Sequence, residues 1–224
     1  MPTTVTPPGP SLASFVIGVL LFAVAAPAQA QVEEPPGPFV IDARGAFSTV
    51  PSSEELALPR GLQASELPSR VLGLDIGAHV YPVRGKLTLG VGATFVRLAG
   101  TQTPEPLDDG PDAADAPVTE GTFRLTGIAP QVSLNFGSSR GWSYVGAGLG
   151  LSRLSVGRAD GALPGSPQLL TLNMGGGARW FFSEHAAFTF DVRFYRAGAR
   201  ELSGDYLGNP TISMFVVAAG LSFK

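Results

Sequence analysis

The stretch that most constrains the fold is Asn173–Arg196, which reads NMGGGARWFFSEHAAFTFDVRFYR and holds two alternating runs. Side chains alternate between the two faces of a strand. In the second run, one face is therefore apolar and the other polar, as Phe188, Phe190, Val192 and Phe194 alternate with Thr189, Asp191, Arg193 and Tyr195. The first run alternates similarly, and its polar face is rich in glycine. Two such runs joined by Ser183-Glu184-His185 predict a hairpin of a membrane barrel, with lipid outside and a polar lumen inside.

The same alternation recurs along the chain and predicts eight strands in all. The six strands outside the hairpin are predicted at Phe39–Phe47, Val71–Tyr81, Lys86–Arg97, Thr122–Phe136, Trp142–Arg153 and Thr211–Phe223. In the fourth strand, Phe123 and Leu125 lie on the apolar face only if the alternation shifts by one residue near Thr126–Gly127. Such a shift predicts a β-bulge. Connections after odd-numbered strands are long and those after even-numbered strands are short. We therefore predict an all-β fold, a closed eight-stranded antiparallel up-and-down transmembrane β-barrel with periplasmic turns and external loops.

Composition and the N-terminal segment agree with an exported barrel. Hydrophobic residues make up 44% of the 224 residues, but no stretch has the roughly 18 consecutive apolar residues of a membrane helix. The net charge of −3 gives no basis for nucleic-acid binding, and the absence of cysteine excludes disulfides and a lipid-attachment cysteine. Residues 1–30 are predicted to be a cleaved signal peptide, with an apolar core and an Ala28-Gln29-Ala30 cleavage site. Residues 31–38 form a short periplasmic lead-in with no fold of its own, and residues 39–224 form the barrel.

Aromatic residues are predicted to form a belt at each membrane interface, where their amphipathic rings are favoured. The predicted periplasmic belt contains Tyr81, Phe136, Trp142, Trp180, Phe181 and Phe223. The predicted external belt contains Phe47, Phe95, Phe123, Phe194 and Phe215.

Several charged residues are predicted to face the lumen, which in an eight-stranded barrel is only wide enough for side chains to fill. Buried charges there must pair and form hydrogen bonds. We therefore predict a structural polar network that plugs the barrel, and the alternative is a narrow ion pathway. The residues are Asp42, Arg44, Asp75, His79, Arg179, Asp191 and Arg193.

A second set of arginines lies at the predicted external ends of the strands. They are ordinary surface charges or contacts to the phosphates of lipopolysaccharide, because arginine can bind phosphate through two hydrogen bonds. The set is Arg97, Arg124, Arg153, Arg158, Arg196 and Arg200. The acidic loop 105–120 lacks the spacing of a calcium loop and is predicted to be a solvated external loop. No metal site or cofactor is predicted.

The segments GGGARWFFSEHAAFTFDVRFY, YVGAGLGLS and AAGLSFK resemble the small OmpA-like, opacity-type outer-membrane β-barrels. The resemblance covers about residues 39–224. It implies an integral outer-membrane protein inserted by the barrel-assembly machinery, which recognises the C-terminal strand. It implies little about function, because one scaffold serves many surface roles.

The function predicted from the sequence is structural or surface-interaction and non-enzymatic, for a monomer that contacts outer-membrane lipid and lipopolysaccharide. Any extracellular ligand would bind to the external loops, predicted as polar connections over residues 48–70, 99–121, 156–167 and 198–210. The main alternative is a narrow small-solute channel. A lipid A-modifying enzyme would need a Ser/His/acid set on the lipid face, but His79 points inward and His185 lies in a periplasmic turn. A soluble lipocalin-like barrel would need its apolar residues to face inward.

Overall fold

In the computed structural model, the described residues are 34–51, 53–103, 120–159, 168–198 and 211–224. They form a closed barrel in which each strand pairs with the next and β1 pairs with β8, all antiparallel. The strands are β1 (Phe39–Thr49), β2 (Arg70–Val83), β3 (Leu87–Gln102), β4 (Gly121–Ser138), β5 (Gly141–Arg158), β6 (Gln168–Phe181), β7 (Ala186–Gly198) and β8 (Ile212–Phe223). The predicted fold class is confirmed. Residues 1–30, with the predicted signal peptide, lie outside the described residues.

The two ends of the barrel differ in how the strands are connected. We call the end with the short β2–β3, β4–β5 and β6–β7 connections the turn end, and the opposite end the loop end. Strands β3, β4 and β5 have 16, 18 and 18 residues, whereas β1 has 11 and β8 has 12. The wall formed by β3–β5 is therefore the longest part of the barrel.

The β-bulge predicted near Thr126–Gly127 is wrong. The pairing of β4 with β3 keeps one register from Gly121 to Phe136, and its pairing with β5 keeps one register as well. Phe123 and Leu125 instead face the interior, where they are 1% and 4% exposed. A register shift occurs between β2 and β3 at Val80–Val83. Pro82 lies within this shift and has no N–H to donate to the ladder.

The outward surface of the barrel is a band of apolar side chains. On β2, for example, Leu72, Leu74, Ile76 and Val80 are between 46% and 66% exposed. The predicted aromatic belts need correction, because Phe123, Tyr81 and Trp142 are buried in the interior and Phe181 is half-buried. Outward-facing aromatics remain at both ends. Those at the turn end are Phe39, Phe136, Trp180, Phe188 and Phe223, and those at the loop end are Phe47, Phe95, Phe194 and Phe215.

The β1–β2 connection, predicted to be a polar loop over residues 48–70, folds into a small cap at the loop end. We define the cap as residues 53–67. It contains helix α1 (Glu54–Ala57), whose N-cap Ser53 accepts a hydrogen bond from the Leu56 N–H, and 3₁₀ turns at Leu58–Arg60 and Ala64–Glu66. The cap buries four apolar side chains, those of Leu56, Ala57, Leu62 and Leu67. They pack with interior residues contributed by all eight strands.

The lead-in residues Glu34–Pro38 have no regular secondary structure, but they are held against the turn end. The Pro38 carbonyl accepts a hydrogen bond from Tyr81 N–H on β2, and the Glu34 carbonyl accepts one from Ser139 N–H in the β4–β5 turn. Arg84, in the β2–β3 turn, donates to the Pro36 carbonyl at 2.9 Å. Because these partners belong to separate turns, the lead-in runs across the turn end instead of leaving it. Within the described residues, no helix has the length and apolar character to cross a membrane.

Candidate functional site

The interior of the barrel is arranged in three layers from the turn end to the loop end. The inward residues of β1 follow this order, from Val40 through Asp42 and Arg44 to Ala46, and the buried Val50 comes directly after the strand. The first layer is an aromatic cluster, the second is a charged network, and the third is the apolar core of the cap. The charged residues of the predicted polar lumen therefore lie in the middle layer, between an aromatic layer and an apolar layer.

The charged network pairs three arginines with three aspartates, all at most 3% exposed. Arg179 forms a bidentate ion pair with Asp42, at 2.9 and 2.6 Å. Arg44 Nη2 lies 2.6 Å from Asp75 Oδ1, and Arg193 Nε lies 2.9 Å from Asp191 Oδ1. The six formal charges cancel, and their mutual attraction offsets part of the desolvation cost of burying them. Arg44 and Asp75 occupy directly opposite positions in the β1–β2 register.

Tyr144 connects these pairs into one network. Its hydroxyl donates to Asp191 Oδ2 at 2.6 Å and accepts a hydrogen bond from Arg44 Nη1 at 2.9 Å. The ring of Tyr144 also lies 4.2 Å below the guanidinium carbon of Arg179, a cation–π contact. Buried hydrogen-bond networks of this kind favour one arrangement of side chains. The network therefore links strands on opposite sides of the barrel through ion pairs and hydrogen bonds.

Glycines on the inner face make room for the large side chains of the network. A Cβ atom at Gly177 would lie 2.7 Å from the Tyr144 hydroxyl and 2.1 Å from the Phe190 carbonyl oxygen. A Cβ atom at Gly175 would lie 2.7 Å from Cγ of Arg193. All three distances are shorter than real contacts of a Cβ atom. The glycine-rich inner face of β6 is thus required by its neighbours Tyr144 and Arg193.

His79 lies in the interior with 5% exposure but is not joined to the charged network by an ion pair among the described residues. Its Nδ1 has no hydrogen-bond partner there. The imidazole occupies the space opposite Gly92, where a Cβ would lie 2.6 Å from its ring. His79 therefore fills space beside the network.

The turn end of the interior is closed by aromatic rings. Tyr81 and Trp142 meet edge to face at 6.0 Å, and Trp142 stacks on Phe181 at 4.9 Å. Lys224 completes this closure, since its Nζ donates to the Ser139 carbonyl at 2.6 Å and lies 4.1 Å from the centre of the Phe181 ring. Partial burial lowers the pKa of the Lys224 ammonium, against the opposing effect of nearby carboxylates.

The interior formed by the described strands contains a cavity of about 10 Å³ where the charged and apolar layers meet, among residues that include Asn173, Thr171 and Tyr195. That volume corresponds to about one water molecule. The Asn173 amide nitrogen and the Tyr195 hydroxyl have no hydrogen-bond partner among the described residues. The cavity is too small for a ligand.

The arginines predicted at the external strand ends separate into two groups. Arg97, Arg124, Arg153 and Arg196 point outward and are exposed at the loop end. Arg158 instead contacts the cap, with Nη2 3.4 Å from Glu66 Oε1 and 3.2 Å from the Gly61 carbonyl. Arg200 lies outside the described residues. Arg70, at the loop end of β2, is a further outward arginine that the sequence analysis did not include.

The remaining predicted features do not form a reactive site. Most of the acidic loop lies outside the described residues, and its last residue, Glu120, accepts a hydrogen bond from the Thr103 hydroxyl. The hydroxyl of Ser183 accepts hydrogen bonds from the His185 and Ala186 N–H groups at the turn end. Within the described ranges, no cluster of three or more His, Asp or Glu side chains could hold a metal ion.

Tyr144 is a member of the network that was not predicted, although its place in the alternating pattern indicated an inward position. Tyr144 and Trp142 share the parity of Gly146, Gly148 and Gly150, and the apolar residues Val145, Leu149 and Leu151 have the opposite parity. The same argument places Phe123 inward, because it has the parity of Gln131, Ser133 and Asn135.

Comparison with known proteins relates this chain to small outer-membrane barrels through its fold. Neisserial surface protein A is 19% identical, with a TM-score of 0.52 over 84% of this chain and 97% of that chain. The attachment invasion locus protein Ail of Yersinia pestis is 13% identical, with a TM-score of 0.49 over 84% and 98%. The N-terminal β-barrel domain of Pseudomonas aeruginosa OprF is 15% identical, with a TM-score of 0.38 over 85% and 98%.

The predicted resemblance to small eight-stranded outer-membrane barrels is thus confirmed at the level of the fold. No family model and no curated protein sequence matches the chain.

Proposed function

We propose that this chain is a non-enzymatic integral outer-membrane barrel with a structural or surface-interaction role. The observation that carries the proposal is the combination of an apolar outward band with an interior filled by ion pairs and a cap. Such a molecule is stable where lipid surrounds it, and its filled interior leaves no passage for a solute. The loop end faces the exterior, where the cap and the long connections are available to partners. The turn end faces the periplasm.

The main competing function, a small-solute channel, is not favoured by the interior. A permeating solute would have to displace the aromatic cluster, the charged network and the cap in turn. The cavity of about 10 Å³ lies between the charged network and the apolar core of the cap. We therefore expect purified protein in planar lipid bilayers to show no stable single-channel conductance. A reproducible unitary conductance, absent from mock-purified samples, would contradict the sealed interior.

Within the part of the chain that the structure describes, no arrangement of residues supports a lipid A-modifying activity. His79 is enclosed in the interior, and His185 is at the turn end, away from the outer leaflet in the proposed orientation. We also propose that the barrel is monomeric, that it contacts outer-membrane lipid and lipopolysaccharide, and that the barrel-assembly machinery recognises β8. These partners follow from the proposed membrane location.

The experiment that tests the location is membrane fractionation combined with gel migration before and after heating. We expect the protein in the outer-membrane fraction and resistant to extraction without detergent. Folded barrel should migrate differently from heated, unfolded chain. Recovery in the soluble fraction as a folded protein would contradict the proposal and favour a soluble barrel.

A further inference from the structure

Three outward arginines on adjacent strands lie close together at the loop end. Arg97 on β3 is directly opposite Thr126 on β4, and Thr126 is directly opposite Arg153 on β5. Arg124 is two residues nearer the loop end on the same face of β4. At the spacing of neighbouring strands, the Cα atoms of Arg97 and Arg153 are roughly 10 Å apart, and Arg124 is about 7–8 Å from each. We call these residues the arginine triangle.

The arginine triangle lacks a counter-charge among the described residues. Its three side chains are exposed and take no part in the ion pairs or side-chain hydrogen bonds there. The aspartates of the strands point inward, and Glu120 is four residues from Arg124, roughly 13 Å along the strand. Three like charges this close repel one another, so bound anion would stabilise the cluster.

The arginine triangle lies at the edge of the apolar band. On β3 the outward residues from Leu87 to Phe95 are apolar, and Arg97 is the next outward position. Ten residues of a tilted strand rise roughly 25 Å, the height of the apolar band of a membrane barrel. The triangle is therefore level with lipid head groups. Both lysines of the chain, Lys86 and Lys224, are at the other end. The basic side chains at this edge are therefore arginines, whose planar guanidinium group can form two parallel hydrogen bonds with one phosphate.

We infer that the arginine triangle binds a phosphomonoester on the head group of a phosphorylated glycolipid in the outer leaflet. A phosphomonoester carries up to two negative charges and three acceptor oxygens, which suits three convergent guanidinium groups. A phospholipid phosphodiester has one charge and two free oxygens and would leave one arginine without a partner. The inference rests on the proposed function, since it requires the loop end to face the outer leaflet.

The test uses the full chain, purified in detergent, and native mass spectrometry of bound lipid. The probes are bisphosphorylated lipid A, the same lipid after dephosphorylation, and inorganic phosphate. The triple variant R97Q/R124Q/R153Q removes the triangle. The triple variant R70Q/R158Q/R196Q removes the same number of charges from the same end and leaves the triangle intact.

We expect the triangle variant to bind bisphosphorylated lipid A about tenfold or more weakly than the unaltered protein, and the control variant to bind within about threefold. Dephosphorylated lipid should bind all three proteins equally weakly. Equal losses in the two variants would overturn the inference in favour of general charge attraction. Competition by inorganic phosphate as effective as the lipid itself would overturn the assignment to a glycolipid.

The membrane location of the variants tests the proposed function separately from lipid binding by the arginine triangle. Both variants should remain in the outer-membrane fraction with heat-modifiable migration, because neither alters the interior network. If the unaltered protein is not in the outer membrane, the proposed function fails. If all three proteins are there and bind lipid A alike, only the arginine triangle fails.

Discussion

Replacing Arg179 by methionine keeps most of the side-chain volume and removes the charge that Asp42 pairs with in the interior. Asp42 would retain the hydroxyl of Ser222 and the guanidinium of Arg44, whose Nη1 is 3.8 Å away. Breaking one side of a buried ion pair typically costs about 3–5 kcal/mol. Because Asp42 keeps these two partners, we expect a loss near the lower limit, about 3 kcal/mol in the free energy of unfolding.

The assay is urea unfolding of the protein in lipid vesicles, followed by heat-modifiable gel migration and by the fluorescence of Trp142, which lies beside Arg179. The double variant D42N/R179M removes both charges and leaves two arginines with two aspartates. We expect it to recover at least half of the loss, because directly coupled residues are not additive. Arg196→Met is the control, since this outward arginine has no ion pair among the described residues, and its change should be within about 0.5 kcal/mol.

Two results would refute this reasoning about Arg179. A loss below about 1 kcal/mol for R179M would mean that water reaches Asp42, so that the interior is not closed. A double variant no more stable than the single variant would mean that the lost packing of Arg179, including its contact with the Tyr144 ring, matters more than its charge.

Three further variants test the cap, the inner glycines and the strand register. Leu56→Asp puts a charge into the core of the cap and should open it, seen as rapid proteolysis of residues 53–67 while the barrel stays folded. Gly177→Ala forces a Cβ atom against the Tyr144 hydroxyl and a β7 carbonyl, and should lower unfolding stability by about 1–3 kcal/mol in urea titration. Phe123→Cys, in a chain without cysteine, should resist a membrane-impermeant maleimide because its position faces the interior.

Each of these variants has a control that makes the same kind of change in a different environment. Leu58→Asp alters a leucine of the cap that is 63% exposed and should leave proteolysis unchanged. Gly45→Ala adds a methyl group on the outward face, where the closest atom is 3.9 Å away, and should be nearly neutral. Arg124→Cys should react readily with the maleimide. Labelling of Phe123→Cys at the same rate as Arg124→Cys would contradict the inward position of Phe123 and favour the predicted β-bulge near Thr126–Gly127.

The strand number, the antiparallel order and the closed ring could be predicted because the period of two is repeated in every strand. The assumption that failed was that apolar residues always face lipid. Phe123 and Leu125 are apolar and face inward, since the loop-end half of the interior packs against the cap. A bulge was needed only to keep these two residues on the lipid face.

The cap could not be predicted because its segment is short, polar and interrupted by proline, and it has only four buried apolar residues. The cap is stabilised by contacts with the barrel wall, and these contacts join residues that are far apart in the sequence. Within the charged network, the Arg44–Asp75 pair follows from the register of one hairpin. The Arg179–Asp42 pair links β6 to β1 across the interior, and such a pairing depends on ring closure and on side-chain conformation.

The composition of the cap's core has a consequence for the order of folding. Leu56, Ala57, Leu62 and Leu67 belong to the connection between the first two strands, but their neighbours come from every strand through β8. These contacts have long sequence separation, and such contacts form late. The first hairpin therefore carries unprotected apolar residues until the last strand pairs with the first. The cap would then become buried only when the barrel closes. Protease resistance of the cap would therefore report that the barrel is fully assembled.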